Sequence, residues 1–175
     1  MQQLDDYTVF GFEPDGAEPV DGDRRAFRRA LGNFPTGVAV VTTIAADRPI
    51  GMTINSFASV SLDPPLVLWS VDLAAGFADD FTTADRFALS VLAGDQIGLA
   101  RRFAAALDDR FDGVPTWTGA GGLPLIAGAL ATFECRREAV HPGGDHAIIV
   151  GRVDRFAARD GSPLLFHAGH LSPLG

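Results

Sequence analysis

The chain has 175 residues, enough for one domain with a sizeable core, and 47% of them are apolar, which excludes a disordered polypeptide. Its formal net charge is −8 and its pI is about 4.8, which argues against a protein that binds nucleic acid or an anionic membrane through a basic surface. No apolar run approaches the roughly 20 residues that cross a bilayer, so we expect no membrane partner.

Residues 1–22 are acidic and carry several Gly and Pro residues, so we predict that they form an irregular N-terminal arm. The arm lacks the basic and then apolar layout of a signal peptide, and we therefore expect a cytoplasmic protein. Residues 23–175 carry the helix and strand patterns and form one predicted domain.

A helix is predicted to begin at Asp21 or Asp23, as the N-cap, and to stop at Gly32–Asn33. Apolar and basic residues recur in it at helical spacing and lie on opposite faces. The apolar set is Phe27, Ala30, Leu31 and Phe34, and the basic set is Arg24, Arg25, Arg28 and Arg29. The four arginines fit either a phosphate-binding patch or the solvated face of an amphipathic helix, and the second pattern is the more common.

Runs of apolar and β-branched residues bounded by turn residues predict the strands. They are Val38–Ile44, Leu66–Val71, Phe87–Leu92, about Ala129–Ala139, about Ala147–Ala157 and Leu164–His167, with a hairpin turn at Ala46–Pro49. Two more helices are predicted, over about Ala74–Ala84 and from Gln96 to about Leu107, the second with Asp95 as its N-cap. The strands lack regular crossover helices, so an antiparallel, closed or nearly closed barrel of roughly seven strands with peripheral helices is favoured over a parallel sheet.

The central stretch, Gly51–Leu68, reads GMTINSFASVSLDPPLVL and carries five small, neutral polar side chains within nine residues. These side chains are Thr53, Asn55, Ser56, Ser59 and Ser61. Strand alternation places Thr53 with Asn55 on one face, and Ser59 with Ser61 on another. The pattern fits either a half-buried strand with a polar outer face or a binding site. Solvated faces usually carry charge, whereas short neutral donors suit a flat heterocycle rich in carbonyls and ring nitrogens, or a polyol chain.

No metal-binding motif, serine-hydrolase elbow, P-loop or dinucleotide fingerprint occurs in the sequence. Cys135 lies in an apolar-alternating run and is interpreted as a small buried hydrophobe. His146 follows Gly143–Gly144–Asp145, where glycines allow a close approach of backbone and ligand. It is either a hairpin-turn histidine without a role or a hydrogen-bonding or stacking group at a pocket rim, able to contact a charged second substrate.

Several motifs carry a family resemblance in their order and spacing. They are FPTGVAVVTT at Phe34–Thr43, the central stretch, RFALSVL at Arg86–Leu92, LARRFA at Leu99–Ala104 and FECRREAVHPGGDHAIIVGRV at Phe133–Val153. Together they closely resemble the flavin reductase-like family with the FMN-binding split barrel, over about Ala26–Leu171. The resemblance implies a mainly β fold with some α, namely an antiparallel, Greek-key-like split β-barrel with peripheral helices.

The resemblance further implies an NAD(P)H:flavin oxidoreductase. Such an enzyme reduces FMN or FAD by hydride transfer from NADH or NADPH and supplies reduced flavin to a partner monooxygenase. It also implies a homodimer with the flavin near the subunit interface. The two alternatives are a flavoenzyme that retains FMN and acts on a small organic substrate, and a non-catalytic flavin-binding protein.

Carried over to this chain, the resemblance implies a set of site residues and no metal ligand. Thr53, Asn55 and Ser56 are expected to contact the ribityl chain and the ring of the flavin, with Thr36 also in reach. Ser59, Val60 and Ser61 are expected to line the isoalloxazine, and His146 is placed where the nicotinamide docks. The family usually has Ser or Thr where this chain has Ala74–Phe77, so the flavin phosphate is expected to lack side-chain hydroxyl partners and the flavin to bind weakly.

Overall fold

The protein is described by a computed structural model that covers residues 23–175. The predicted N-terminal arm, residues 1–22, lies outside the described residues. The described chain is mainly β, with 16% of residues in helices and 50% in strands. This confirms the predicted class of a mainly β protein with a few helices.

The helices are α1 (Arg24–Leu31), α2 (Ala78–Thr83) and α3 (Ile97–Ala104). The strands are β1 (Thr36–Gly37), β2 (Ala39–Ala45), β3 (Arg48–Ile54), β4 (Ala58–Leu62), β5 (Pro65–Asp72), β6 (Arg86–Val91), β7 (Thr116–Thr118), β8 (Pro124–Ile126), β9 (Ala131–Gly143), β10 (His146–Ala158), β11 (Leu164–His167) and β12 (His170–Pro173). None of the helices in this described part is long and apolar enough to cross a membrane.

One seven-stranded sheet, in the order β3-β2-β6-β9-β10-β5-β4, forms the body of the domain. Every neighbouring pair of strands in it is antiparallel, as the sequence predicted. A three-stranded sheet, β1-β11-β12, and the two-stranded pair β7-β8 complete the fold. Strand β12 and the short strands β1, β7 and β8 were not among the predicted strands.

The two edge strands of the large sheet, β3 and β4, are consecutive in the chain, and only residues 55–57 separate them. In a flat sheet, six strand spacings place these edges about 29 Å apart. The short link spans roughly 14 Å at most between its flanking Cα atoms. The sheet therefore curls until its two edges approach each other at residues 55–57. The central stretch consequently divides between two strands rather than forming one.

The inner face of the curled sheet buries a core around Trp69. The Trp69 ring packs edge-on against Phe81 of α2, with 5.2 Å between ring centroids, and also meets Phe87 of β6. A second cluster lies beneath α3, where Phe103 packs with Leu92 and neighbouring apolar residues. Burial of these large side chains supplies the main driving force for the fold.

Helices α2 and α3 are both shorter than predicted. Helix α2 begins at Ala78 rather than near Ala74, because the Asp72 carboxylate accepts a hydrogen bond from the Ala74 amide (2.9 Å) and fixes a turn there. The predicted cap of α3 is wrong, because Gln96 rather than Asp95 occupies the N-cap position. Its side chain accepts from the Ala93 amide and donates to the Ala127 carbonyl, so it ties the helix start to two loops.

Helix α1 has the predicted N-cap, since the Asp23 carboxylate accepts from the amides of Arg25 (2.8 Å) and Ala26 (3.1 Å). The apolar face of α1 does not pack on the core of the described chain. No residue of α1 is buried, and Phe27 keeps 48% of its surface exposed. An apolar helix face that residues 23–175 leave uncovered is typical of an interface.

Candidate functional site

A cavity of about 1000 Å³ opens between α1, β1, the end of β3, the start of β10 and the β11–β12 hairpin. We call it the α1 cavity. Three of the predicted site residues, Thr36, Asn55 and His146, line it together. They come from three separate strand ends, so the fold brings together groups that lie far apart in the sequence.

The wall of the α1 cavity formed by α1 is fixed at the C-terminal end of the helix. The Ala168 amide donates to the Gly32 carbonyl (2.9 Å), which joins the helix end to the β11–β12 turn. Ala168 and Gly169 both have positive φ, of 48° and 84°, as a two-residue hairpin turn of type I′ requires. The Asn33 carboxamide donates to the Ala30 carbonyl (3.3 Å) and closes the last helical turn.

Thr36 offers a hydrogen-bonding group that the described chain does not use. It pairs with Phe166 across β1 and β11, and its hydroxyl oxygen is buried without a partner among residues 23–175. A buried hydroxyl without a hydrogen bond is costly, on the order of 1–3 kcal/mol. A ligand in the α1 cavity that bonds to this hydroxyl recovers that free energy.

His146 begins β10 directly after the β9–β10 turn, and its ring is held by the preceding residue. Its Nδ1 lies 2.7 Å from Oδ1 of Asp145. This hydrogen bond, together with the charges of His146 and Arg24, lowers the pKa of Asp145. Because Nδ1 is engaged, Nε2 is the ring nitrogen left for a ligand.

The hydroxyls of Thr53 and Ser56 both have protein partners. Thr53 donates to the Ala100 carbonyl of α3 (2.7 Å) and lines a smaller cavity of about 220 Å³ that also includes Asn55. Ser56 donates to the Ser70 carbonyl (3.2 Å) and accepts from the Ser70 amide (3.0 Å). Both side chains therefore shape the wall around Asn55, which is exposed and lines both cavities.

Ser59, Val60 and Ser61 lie on β4 and do not line the α1 cavity. The register between β4 and β5 shifts between Ser59 and Ser61, so Val60 is a bulge. The bulge breaks the predicted alternation: Ser59 is exposed and Ser61 is half-buried. Because β4 is an edge strand of the sheet formed by residues 23–175, one side of its backbone has no strand partner among them and can hydrogen-bond to a ring with amide and carbonyl groups.

The arginines of α1 were not predicted as site residues, yet Arg25, Arg28 and Arg29 line the α1 cavity. The sequence signal was present, because four arginines stand within six residues of a chain with net charge −8. The structure leaves the opposite, apolar face of the helix unburied as well.

The predicted gap in phosphate contacts lies at the start of α2. Phe77 occupies the N-cap position and makes no side-chain capping bond. Thr82 and Thr83 both donate their hydroxyls to the Asp79 carbonyl, so neither is free to replace the missing groups. The guanidinium of Arg110 stands 4.8 Å above the Phe77 ring.

Arg110 holds the loop after α3 in place. Its guanidinium donates to the carbonyls of Ala105 (2.8 Å) and Gly51 (2.9 Å), and burial lowers its pKa. A cavity of about 300 Å³ opens beside Arg110 and Phe77. Arg110 is therefore a cation beside the start of α2 whose position is already fixed by hydrogen bonds.

Other reactive groups do not form a site. Cys135 is fully buried, and desolvation raises the pKa of its thiol to about 12, which disfavours the reactive thiolate. Among residues 23–175, no three His, Cys, Asp or Glu side chains gather in a metal-binding group. Ser90, another residue of the resemblance, is buried and accepts from the Ile126 amide (3.1 Å), which is a structural role.

Comparisons with known proteins point in one direction. The Flavin reductase like domain family matches residues 31–175 of the chain. FMN reductase (NADH) SmoA of Agrobacterium fabrum is 52% identical over 151 residues, which are 86% of this chain and 86% of that protein. The reductase subunit HsaB of a flavin-dependent monooxygenase from Rhodococcus jostii is 38% identical over 162 residues, 91% of this chain and 83% of that protein.

A solved structure gives the same result. The NADH:FAD oxidoreductase of Streptomyces globisporus, in complex with NAD and FAD fragments, superposes with a TM-score of 0.84 at 43% sequence identity. The match covers 91% of this chain and 98% of that one.

Proposed function

The chain belongs to the flavin reductase-like family, and from that premise we propose that it is an NAD(P)H:flavin oxidoreductase. It reduces FMN or FAD with NADH or NADPH and supplies the reduced flavin to a partner monooxygenase. The observation that carries the proposal is the α1 cavity, in which Thr36, Asn55 and His146 converge beside a basic helix.

The residues present fit a flavin. The Asn55 carboxamide and the Thr36 hydroxyl, which has no partner among residues 23–175, can donate hydrogen bonds to ring carbonyls. Both groups can also donate to ribityl hydroxyls and accept from them. The free edge of β4 at Ser59, Val60 and Ser61 offers backbone groups to the isoalloxazine. Thr53 and Ser56 complete the predicted flavin set by shaping the strand end around Asn55.

The proposed reaction requires positioning more than acid–base catalysis. When bound, the flavin supplies the redox chemistry, since its ring accepts a hydride from a reduced nicotinamide. Asn55, Thr36 and the β4 edge orient one ring, and His146 orients the other. Asp145 holds the His146 imidazole in one orientation through Nδ1, so Nε2 faces a substrate with little loss of rotational freedom.

We further propose that the fold is the FMN-binding split barrel and that the protein is a homodimer. The curl that brings the edges of the large sheet together at residues 55–57, without pairing β3 to β4, supports the barrel. The exposed apolar residues Phe27, Leu31 and Phe34 beside the α1 cavity support a second copy that covers them. We propose a cytoplasmic location from the sequence alone. The proposed partner oxygenase is supported by relatives such as HsaB, the reductase subunit of a flavin-dependent monooxygenase.

Steady-state oxidation of NADH and NADPH with FMN, FAD, riboflavin or no added flavin tests the proposal. We expect nicotinamide oxidation whose rate rises with the concentration of added free flavin. If the folded protein binds flavin but oxidises neither NADH nor NADPH with any of the flavins, it is a non-catalytic flavin-binding protein. Full activity without added flavin would favour the flavoenzyme that retains FMN.

A further inference from the structure

We propose that the arginine face of α1 binds the phosphate groups of the nicotinamide dinucleotide, with Arg25, Arg28 and Arg29 as the contacting residues. This inference rests on the proposed function, because it assigns part of the site of the second substrate. It explains four clustered cations that the flavin chemistry leaves without a role.

The distribution of charge is the first observation. The chain has no lysine, so all 14 basic side chains are arginines, and four of them fall within residues 24–29. Among the described residues, Arg24, Arg25 and Arg28 have no carboxylate within 4 Å, and Arg29 reaches only Asp23, at 3.9 Å. Most arginines of the sheet are instead paired, as Arg86 and Arg136 are with Asp154. Unpaired guanidinium groups remain free to bind an anion.

The direction of the arginines is the second observation. Arg25, Arg28 and Arg29 are spaced i, i+3 and i+4, so they share one helix face, and that face lines the α1 cavity. Arg24 does not line the cavity, but its charge contributes to the lowered pKa of Asp145 beside His146. Guanidinium groups bind phosphate oxygens through two parallel hydrogen bonds, which fixes orientation as well as charge.

The position of the other site residues favours the dinucleotide over the flavin as the source of these phosphates. The proposed flavin contacts on β4, Ser59 to Ser61, lie outside the α1 cavity, whereas His146, the proposed nicotinamide contact, lies on its wall. Thr36 and Asn55, the other proposed flavin contacts, line the cavity and mark the boundary between the two substrates. A volume of about 1000 Å³ is at the upper end of the range for small-molecule pockets and suits a long, folded ligand.

Two hydride donors separate phosphate contacts from ring contacts. NADH carries the pyrophosphate, whereas N-benzyl-1,4-dihydronicotinamide presents the same reduced ring without phosphate. For Arg28→Gln and Arg25→Gln, we expect the ratio of the KM for NADH to the KM for the benzyl compound to rise roughly tenfold, the usual scale for a charge-assisted hydrogen bond. The control Arg136→Gln makes the same charge change away from the cavity and leaves that ratio at the wild-type value.

A binding measurement keeps the inference independent of activity. Calorimetric titration with NAD⁺ and with ADP, which carries the pyrophosphate without nicotinamide, is expected to show a roughly tenfold weaker Kd in both α1 variants. Arg25 and Arg28 are both exposed and no residue of α1 is buried, so the variants should keep the wild-type melting temperature. If the wild-type protein reduces no flavin, and Arg28→Gln nevertheless weakens the binding of ADP, the proposed function is refuted but the phosphate site stands.

Three results would overturn the inference. The first is an unchanged KM ratio together with an unchanged Kd for ADP in both variants. The second is a wild-type protein that binds neither NAD⁺ nor ADP. The third is a variant that loses affinity for FMN relative to riboflavin while its Kd for NAD⁺ is unchanged, because the arginines would then bind the flavin phosphate.

Discussion

Single residues at the site divide between those that have a protein partner and those that do not. The hydroxyls of Thr53 and Ser56 are bonded within the protein, whereas the Thr36 hydroxyl and Nε2 of His146 have no hydrogen-bond partner among residues 23–175. The sequence identified all four as polar groups in suggestive places. It could not separate them, because a hydroxyl's partner depends on strands and helices that meet it only in the folded chain, as Ala100 of α3 meets Thr53.

His146 and Asn55 are expected to affect different substrates. Replacing His146 with Ala should raise the KM for NADH severalfold and leave the flavin Kd nearly unchanged, because the contact proposed for His146 is to the nicotinamide alone. Asn55→Ala serves as the matched variant. It should weaken flavin binding by about 1–2 kcal/mol, the scale of a lost polar partner, with little change in the KM for NADH.

The measurements are steady-state kinetics with varied NADH and a fluorescence titration with FMN on each folded variant. Wild-type kinetics in His146→Ala would return this histidine to a hairpin-turn residue without a role. An unchanged flavin Kd in Asn55→Ala would remove that carboxamide from the flavin site.

Cys135 predicts how stability depends on alkaline pH. Its thiol pKa is about 12 in the folded protein against 9.0 for an unburied thiol, mainly because burial penalises the thiolate. Between these values the unfolded chain has lost the proton and the folded chain keeps it. Raising the pH therefore favours unfolding, by about 1.4 kcal/mol per pH unit at most. Below pH 9 this contribution to stability is fully present.

Urea denaturation between about pH 8 and pH 11 measures this loss in the free energy of unfolding, because that range covers the lower part of the thiol titration. The background is simple, because the chain has no lysine and a single tyrosine, Tyr7. Cys135→Ala should be less stable at pH 8 but lose less stability as the pH rises. Parallel pH curves for the two proteins would show that the buried thiol does not titrate on unfolding.

At the scale of helices and strands, periodic segments were predicted well and irregular ones were not. Strands β2, β5 and β6 are rich in apolar and β-branched residues, and each lies within about two residues of its predicted bounds. Strand β12, HLSP, was missed because it contains His, Ser and Pro and pairs only with β11. The central stretch was treated as one segment, because nothing local in it reveals that β3 and β4 form opposite edges of one sheet.

The start of α2 predicts weak flavin binding. The family's hydroxyls are absent at Ala74–Phe77, and Thr82 and Thr83 are already bonded to Asp79. Each neutral hydrogen bond contributes roughly 1 kcal/mol. Losing one or two of them should weaken flavin binding about five- to thirtyfold and give a micromolar Kd. The purified protein should be colourless or nearly so.

Dialysis of the purified protein, followed by its visible absorption spectrum, checks this expectation. A yellow protein that keeps its flavin through extensive dialysis would contradict it. Arg110, anchored 4.8 Å above Phe77, would then be the first residue to replace, as Arg110→Gln. That result would also favour the alternative of a flavoenzyme that retains FMN.

At the scale of the whole molecule, residues 23–175 leave a connected apolar surface around α1. Phe34 is 75% exposed, Leu31 58% and Phe27 48%, and the first two line the α1 cavity. Isolated exposed apolar residues are ordinary, but a group on one helix next to a site indicates a partner surface. The homodimer that we propose would cover this helix and close the cavity that one copy leaves open.

Light scattering at micromolar concentration is expected to give the mass of a homodimer. Leu31→Glu, which places a charge in the proposed interface, should shift the protein toward the monomer, whereas Phe156→Glu, at a 74% exposed position on β10 that does not line the α1 cavity, serves as the control. A wild-type monomer at these concentrations would contradict the dimer and the placement of the flavin near a subunit interface.

The central claim is that the protein reduces flavin as a substrate that enters and leaves, and anaerobic reduction of excess FMN tests it most directly. A trace of protein is mixed with NADH and a large molar excess of FMN, and flavin absorbance is followed without oxygen. Our account predicts that the whole FMN pool is reduced through many turnovers. Reduction of only one FMN per subunit would mean that the flavin is retained, and no reduction with NADH or NADPH would contradict the reductase function itself.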